Sequence, residues 1–204
     1  MLNKGLKKTL QKVARFYDRR KVDDAGFLGF RRASDLARLI TCLDQLIQQN
    51  TLICQKSLFL DMGCADGRVN VLLSYLVKKS IGIELDDWTL DEYVPLRTEL
   101  EATLKEDDLS LPPDNIFLFN GDSLDAAVHE TIHEQTGVSF EEFDLFYTYL
   151  SMYEEFAELI AQKAKKGSVF MVYGLEKILP KFKGLHLLTP ERPIKGTLTL
   201  YQKR

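Results

Sequence analysis

The sequence predicts one α/β domain, a doubly wound, mostly parallel, seven-stranded sheet with helices on both faces, preceded by an N-terminal helical extension. Three observations predict it. Short continuous apolar runs alternate with helical segments from Leu58 onward, the pattern of parallel strands buried on both faces. Two further strand-like runs in the tail read as a closing hairpin. The chain has 204 residues, of which 45% are hydrophobic, enough for one sizeable core and too apolar for a disordered chain.

Each element follows from its pattern. Leu2, Leu6, Leu10, Val13 and Phe16/Tyr17 recur at helical spacing with basic residues between them, an amphipathic helix. Residues 21–32, with Gly26 and Gly29, read as a linker. Ser34 or Asp35 can cap a second helix whose apolar set is Leu36, Leu39, Ile40, Leu43 and Leu46/Ile47. Leu58 to Leu60 is the first strand, followed by a helix from about Gly67 to Val77. Ser80 to Ile83 is the second, followed by a helical region to about Lys105 that Pro95 interrupts or starts. Ile116 to Phe119 is the third, followed by a polar helix over roughly Ser123 to Gln135. Leu145 to Tyr149 is the fourth. A helix over Glu154 to Lys165 follows, with Gly167 as its C-cap. Val169 to Tyr173 is the fifth, and Leu185 to Leu188 and Thr197 to Tyr201 complete the set. The reading divides the chain into residues 1–56, the helical extension acting as a lid or cap, and 57–204, the core.

Composition excludes several classes. The net charge of −3 gives no global basic field for nucleic acid. One local cationic patch exists: Lys4, Lys7, Lys8, Lys12, Arg15, Arg19 and Arg20 stand against Asp18 alone in the first twenty residues. Cys42, Cys54 and Cys64 are odd in number and lack zinc-ligand spacing, so they read as reduced thiols of a cytoplasmic protein. No apolar run suits a signal peptide or a transmembrane segment.

In an open α/β sheet, ligands bind beyond the carboxyl ends of the strands. After the first strand comes Asp61-Met62-Gly63-Cys64-Ala65-Asp66-Gly67-Arg68. Gly63, Ala65 and Gly67 are small enough for a tight turn close to a ligand. The amides that open the next helix suit a carboxylate. Glu84 ends the second strand, placed to accept from ribose hydroxyls. Asp122, with Ser123 beside it, follows the third, placed to receive an amine such as that of adenine. Each acid alone is also explained as a solvated loop residue; the ordered series on consecutive strands is what points to a nucleoside.

The motif Asp61-x-Gly63-x-Ala65-x-Gly67 resembles the first motif of the class I, seven-strand S-adenosylmethionine-dependent methyltransferases, whose sheet is Rossmann-like. It differs from the nicotinamide fingerprint, which spaces its glycines G-x-G-x-x-G. More narrowly, Asp61-x-Gly63-x-x-Asp66-Gly67-Arg68 and Glu84-Leu85-x-x-Trp88 are similar to the small protein lysine methyltransferases that include the ATP synthase c subunit and adenine nucleotide translocase enzymes. Tyr147-Thr148-Tyr149-Leu150 departs from their pattern, and the chain lacks the hydrophobic N-terminal segment of those mitochondrial members. The resemblance implies S-adenosyl-L-methionine as cofactor, with Asp61 and Gly63 at its methionine end, Glu84 on the ribose, Leu85 on the adenine ring and Asp122 on the adenine amine. It implies N-methylation of a lysine in a protein substrate. RNA or small-molecule methylation, with the basic helix as a phosphate tether, and a non-catalytic cofactor-binding module are the rival readings.

Tyr147, Tyr149 and Tyr153 cluster after the fourth strand, where acceptors enter in this fold, and are the candidates for orienting an amine or shielding a sulfonium. Packing explains them equally well. Trp88, the sole tryptophan, divides between core packing and a place beside the cofactor. Arg68 opposes the helix dipole, which hints at a partner carboxylate. His129-Glu130-Thr131-Ile132-His133 matches H-E-x-x-H, but it sits inside the strand–helix repeat, so it reads as a solvated helix face and no metal is expected. The first helix and Gly26-Phe27-Leu28-Gly29-Phe30 read as a mobile lid over the acceptor pocket or, equally, as a static helix that covers the sheet.

Overall fold

The computed structural model describes residues 2–20, 25–26, 29–30, 33–175, 179–189 and 192–204. Asn3 accepts a hydrogen bond from the Leu6 amide and opens α1 (Lys4–Asp18). Inside the expected linker, β1 (Ala25–Gly26) and β2 (Gly29–Phe30) pair as a short antiparallel ribbon, while Phe27 and Leu28 lie outside the described residues. Asp35 caps α2 (Leu36–Gln48), accepting from the Arg38 amide. The Asp18 carboxylate accepts from the Leu36 and Ala37 amides at 2.9 and 3.0 Å, so the end of α1 also caps the start of α2. Near the other end, the Leu2 amide donates to Asp44, so the two helices run antiparallel.

The strand–helix series follows as β3 (Leu58–Met62), α3 (Arg68–Ser74), β4 (Lys79–Glu84), α4 (Asp87–Leu90), α5 (Tyr93–Glu106), β5 (Ile116–Asn120), α6 (Ala126–Thr136), a 3-10 turn at Phe140–Glu142, β6 (Leu145–Tyr149), α7 (Tyr153–Lys163), β7 (Val169–Tyr173), β8 (Leu185–Leu187) and β9 (Leu198–Lys203). Pro95 sits in the first turn of α5, where its missing N–H costs nothing. Several boundaries shift by a few residues from expectation, two of them for a clear reason. The helix after β3 ends at Ser74, because the chain must turn back into β4. Gly167 is not the cap of α7: Ala164 is, and Gly167, at φ 90°, forms the turn into β7 and donates to Lys203 O.

The sheet order is β5-β4-β3-β6-β7-β9-β8, with β3 to β7 parallel and β9 antiparallel to both its neighbours. The chain winds outward from β3 to β5, returns to the far side of β3 at β6, and winds outward again. The crevice that reversal opens lies at the carboxyl ends of β3 and β6. Alternation along each strand divides the core into two layers. Phe59, Leu145, Tyr147, Met171 and Tyr173 face α1, α2, α3 and α5; Leu60, Phe146, Phe170 and Val172 face α6 and α7.

The expected boundary between residues 1–56 and 57–204 does not separate distinct cores. Leu10, Val13, Phe16 and Tyr17 of α1 and Leu36, Leu39 and Leu43 of α2 are buried in the same apolar cluster as Phe59 and Leu145. A helix that supplies core cannot open as a lid without exposing it, and this burial favours the static reading of α1. No helix among the described residues is long and apolar enough to cross a membrane.

Candidate functional site

The loop after β3 is held in an unusual backbone path. Gly63, Ala65 and Gly67 have φ of 119°, 48° and 73°, so three of five consecutive residues occupy the region that costs a side chain energy. A Cβ at Gly67 would stand 2.8 Å from Leu118 and Tyr93, while one at Gly63 would meet nothing within 4 Å. Gly67 is thus required by close packing, and Gly63 leaves the loop open on the crevice side. The path is fixed by hydrogen bonds: the Gly63 and Cys64 amides both donate to Ile83 O at 2.9 Å, and the Gly67 amide donates to Cys64 O.

Glu84 ends β4 and supports the same loop. Its Oε2 accepts from the Ala65 amide at 2.8 Å and its Oε1 from the Asp86 amide at 3.1 Å. Asn120, at the end of β5, donates to Glu84 O and Leu85 O and pins the β4 and β5 ends together. Asp122 is exposed and accepts from the Leu124 amide; Ser123 is buried, and its carbonyl oxygen lies 2.8 Å from His129 Nε2. Leu85 and Trp88 are 53% and 46% exposed beside Glu84, so Trp88 is no core residue.

Asp61 is buried at the carboxyl end of β3, and its Oδ1 has no hydrogen-bond partner among the described residues. Burial raises its carboxyl pKa well above the usual range, and the neighbouring Glu84 and Asp66 carboxylates add to the rise. Burial likewise pushes the Cys64 thiol up. The carboxyl end of this layer therefore holds one acid with an unused acceptor and a second that braces the loop.

Asp66 and Arg68 belong to a separate network. Arg68 is buried and grips Asp66 through Nε at 2.9 Å and Nη2 at 2.7 Å. Burial is the largest influence and opposes its charge, but the Asp66 hydrogen bonds and charge, with Tyr17 and Asp18, together outweigh it and leave its pKa raised. Asp66 Oδ1 also lies 3.3 Å from the Arg68 amide, so the first N–H of α3 is engaged within the chain rather than left for a ligand carboxylate as expected. The partner carboxylate that Arg68 suggested is Asp66.

The three tyrosines do not form one cluster. The Tyr147 ring is 2% exposed and its hydroxyl lies 2.6 Å from Ser34 Oγ, so it joins β6 to the start of α2. Its phenol is pushed up by burial, then by Asp61. Tyr149 is half-buried and stacked on Tyr173, with centroids 5.2 Å apart. The Tyr173 hydroxyl accepts from the Asp35 amide, and burial raises its pKa to about 12. Tyr153 opens α7 on the opposite layer and meets Phe182 edge-on. Tyr173 and Ser34 carried no signal in the sequence beyond a strand end and a helix cap, because only the tertiary fold brings them to Tyr149 and Tyr147.

His129 is half-buried, not solvated: it packs edge-on to Phe140 and engages Ser123 O. Among the described residues, no three His, Cys, Asp or Glu side chains converge as a metal site would need.

Comparison with solved structures identifies the architecture. The inferred methyltransferase yhhF of Escherichia coli superposes with a TM-score of 0.51 at 16% identity, covering 82% of this chain and 84% of that one. An inferred methylase of Haemophilus influenzae superposes at 0.50 with 19% identity, covering 82% and 97%. This chain has the methyltransferase fold. No protein-family model matches it, and no curated protein matches it in sequence. The strand order of the fold puts the Gly63–Gly67 loop, Glu84 and Asp122 at the ends of three adjacent strands, β3, β4 and β5.

Proposed function

We propose that this chain is an S-adenosylmethionine-dependent methyltransferase. The observation that carries the proposal is the alignment, on one sheet edge, of a glycine-bearing loop, a ribose-height acid and a second acid one strand further. The residues fit the cofactor on their own chemistry. Asp61 Oδ1 is a buried acceptor without a partner, suited to an ammonium or its bridging water. Gly63 leaves open space where the backbone turns. Ala65 and Gly67 complete that loop. Glu84 would hold the ribose hydroxyls, exposed Leu85 would cover the adenine face, and Asp122 with Ser123 would meet the adenine edge. The bound cofactor supplies an activated methyl group on a sulfonium, so the protein's share is to orient the acceptor and exclude water.

For the acceptor we propose a protein lysine. Its support is the resemblance carried by Asp61, Gly63, Asp66, Gly67, Arg68, Glu84, Leu85 and Trp88. Of the three candidate tyrosines, Tyr149 alone combines partial exposure with the layer that holds Asp61 and Glu84, so it is the one suited to flank an incoming amine. Tyr147 has its hydroxyl committed to Ser34, and Tyr153 lies on the other layer.

Calorimetry with S-adenosylhomocysteine tests the cofactor. Binding without added metal supports it; absence of binding at millimolar ligand alongside tight binding of NAD overturns it. Incubating a proteome and an RNA pool with heavy-methyl cofactor tests the acceptor. Heavy methyl on lysine peptides is the expected product, and label confined to RNA or to small molecules replaces the lysine assignment.

A further inference from the structure

The strained loop needs an external support, and the structure shows where it comes from. Its three positive-φ residues are stabilised from within by backbone hydrogen bonds and from β4 by Glu84. The remaining side chain of the loop that is fixed, Asp66, is held from α1. The last turn of α1 makes three separate attachments. Tyr17 lies under the Arg68 guanidinium, with Cζ 5.6 Å from the ring centroid. Asp18 caps α2. Arg20, just beyond the helix, forks between Asp66 Oδ2 at 3.2 Å through Nη1 and Glu92 Oε2 at 3.0 Å through Nη2. The Asp66 carboxylate is thus clamped by one arginine from the helix that follows it and a second from 46 residues earlier.

We propose that Arg20 is a positioning residue for the Gly63–Gly67 loop, so that the N-terminal helix acts as a brace that preorganises the cofactor-binding backbone. The proposal rests on the methyltransferase reading for the ligand but not for the brace itself. The geometry makes the roles distinct. Elsewhere α1 is tied down by contacts that do not reach the loop, such as the 2.6 Å ion pair of Lys12 with Asp107 at the end of α5. Arg20 alone among the described α1-proximal cations reaches the loop itself. The two Nη atoms of a guanidinium meet the two carboxylates from separate, rigidly spaced nitrogens; the donors of an ammonium share one nitrogen and would hold the bridge less firmly. Removing Arg20 leaves the Asp66–Arg68 pair but frees the loop on the α1 side, and the strained path then competes with relaxed ones. A ligand that binds only the ordered path loses affinity in proportion to the fraction lost.

The experiment compares wild type with Arg20→Ala, Arg20→Lys and Lys12→Ala in the full chain. Three quantities are read: amide hydrogen exchange of residues 63–68 without ligand, S-adenosylhomocysteine affinity by calorimetry, and Tm. The expected result for Arg20→Ala is exchange and Kd each raised about tenfold, with a Tm loss no larger than that of Lys12→Ala. Lys12→Ala should leave exchange and Kd at wild type, and Arg20→Lys should recover part of both. Should Arg20→Ala lose its fold, Arg20→Gln provides the same readings with part of the side chain's stem kept. Wild-type exchange and affinity in the arginine variants overturn the proposal, and so does faster loop exchange with unchanged affinity. If the wild-type protein binds no S-adenosylhomocysteine yet the loop exchange still rises in Arg20→Ala, the cofactor reading fails and the brace stands.

Discussion

The two faces of the sheet differ in what they are made of. The face toward α6 and α7 is filled by Leu60, Ile81, Ile83, Phe143, Phe146, Phe170 and Val172, an apolar layer of branched side chains and aromatic rings such as Phe143 and Phe146, which meet edge-on. The face toward α1, α2 and α3 is apolar only in its lower half. Toward the carboxyl ends it changes to Asp61, Glu84, Tyr147, Tyr149 and Tyr173, with Arg68 and Asp66 alongside. The same strands supply both faces, since alternate residues point opposite ways. One face thus carries stability with little chemistry, and the other gives up apolar packing to hold buried polar groups. Such groups cost stability unless each is paired, which is why Tyr147 has Ser34, Arg68 has Asp66 and Asp61 stands out.

Deleting Met1 to Arg20 should break the polar face most completely. The expected outcome is an unfolded or insoluble chain by circular dichroism, because Leu10, Val13 and Tyr17 are fully buried there. A truncated protein with a cooperative unfolding transition would show that this face stands without α1. On the apolar face, Phe146→Ala should cost about 3–5 kcal/mol in denaturant unfolding, the range for an emptied aromatic core site. It should leave the affinity for S-adenosylhomocysteine within a few-fold in the folded fraction.

Glu84→Ala should act in the opposite sense. It should weaken S-adenosylhomocysteine binding by about 1–3 kcal/mol, and it also frees the Ala65 amide it now holds. Unchanged affinity would separate Glu84 from the cofactor. Tyr147→Phe leaves Ser34 without its partner in a buried site, so unfolding should be easier by about 1–2 kcal/mol with affinity retained. A loss of methyl transfer without that stability loss would return Tyr147 to the acceptor side of the site.

The smallest effect belongs to His129. Burial lowers its pKa from 6.5, so the folded protein binds fewer protons there than the unfolded chain. Its contribution is intact above the unfolded pKa and declines as pH falls through the folded one. Denaturant midpoints measured from pH 7.5 down to 5.5 should therefore fall less steeply in His129→Gln than in wild type. His133→Ala, by contrast, should change stability by under about 0.5 kcal/mol, since its helix position faces solvent.

The sequence by itself determined the strand–helix alternation, the seven strands and the residues that stand at the three strand ends, because period, turn chemistry and motif spacing are local. Asp61, Gly63, Glu84 and Asp122 were legible as positions for that reason. Only the tertiary structure decided what those positions touch. Arg20 reaches Asp66 across 46 residues, Ser34 meets Tyr147 across 113, and Tyr173 slides beside Tyr149 on the next strand. It also buried the apolar stripe of the N-terminal helix in the core, and turned the expected solvated His129 into a packed one. The physical reason is the same in each case: an amphipathic stripe or a lone charge specifies that a side chain must be buried or paired, but not against which surface, and that partner is chosen by the packing of the whole chain.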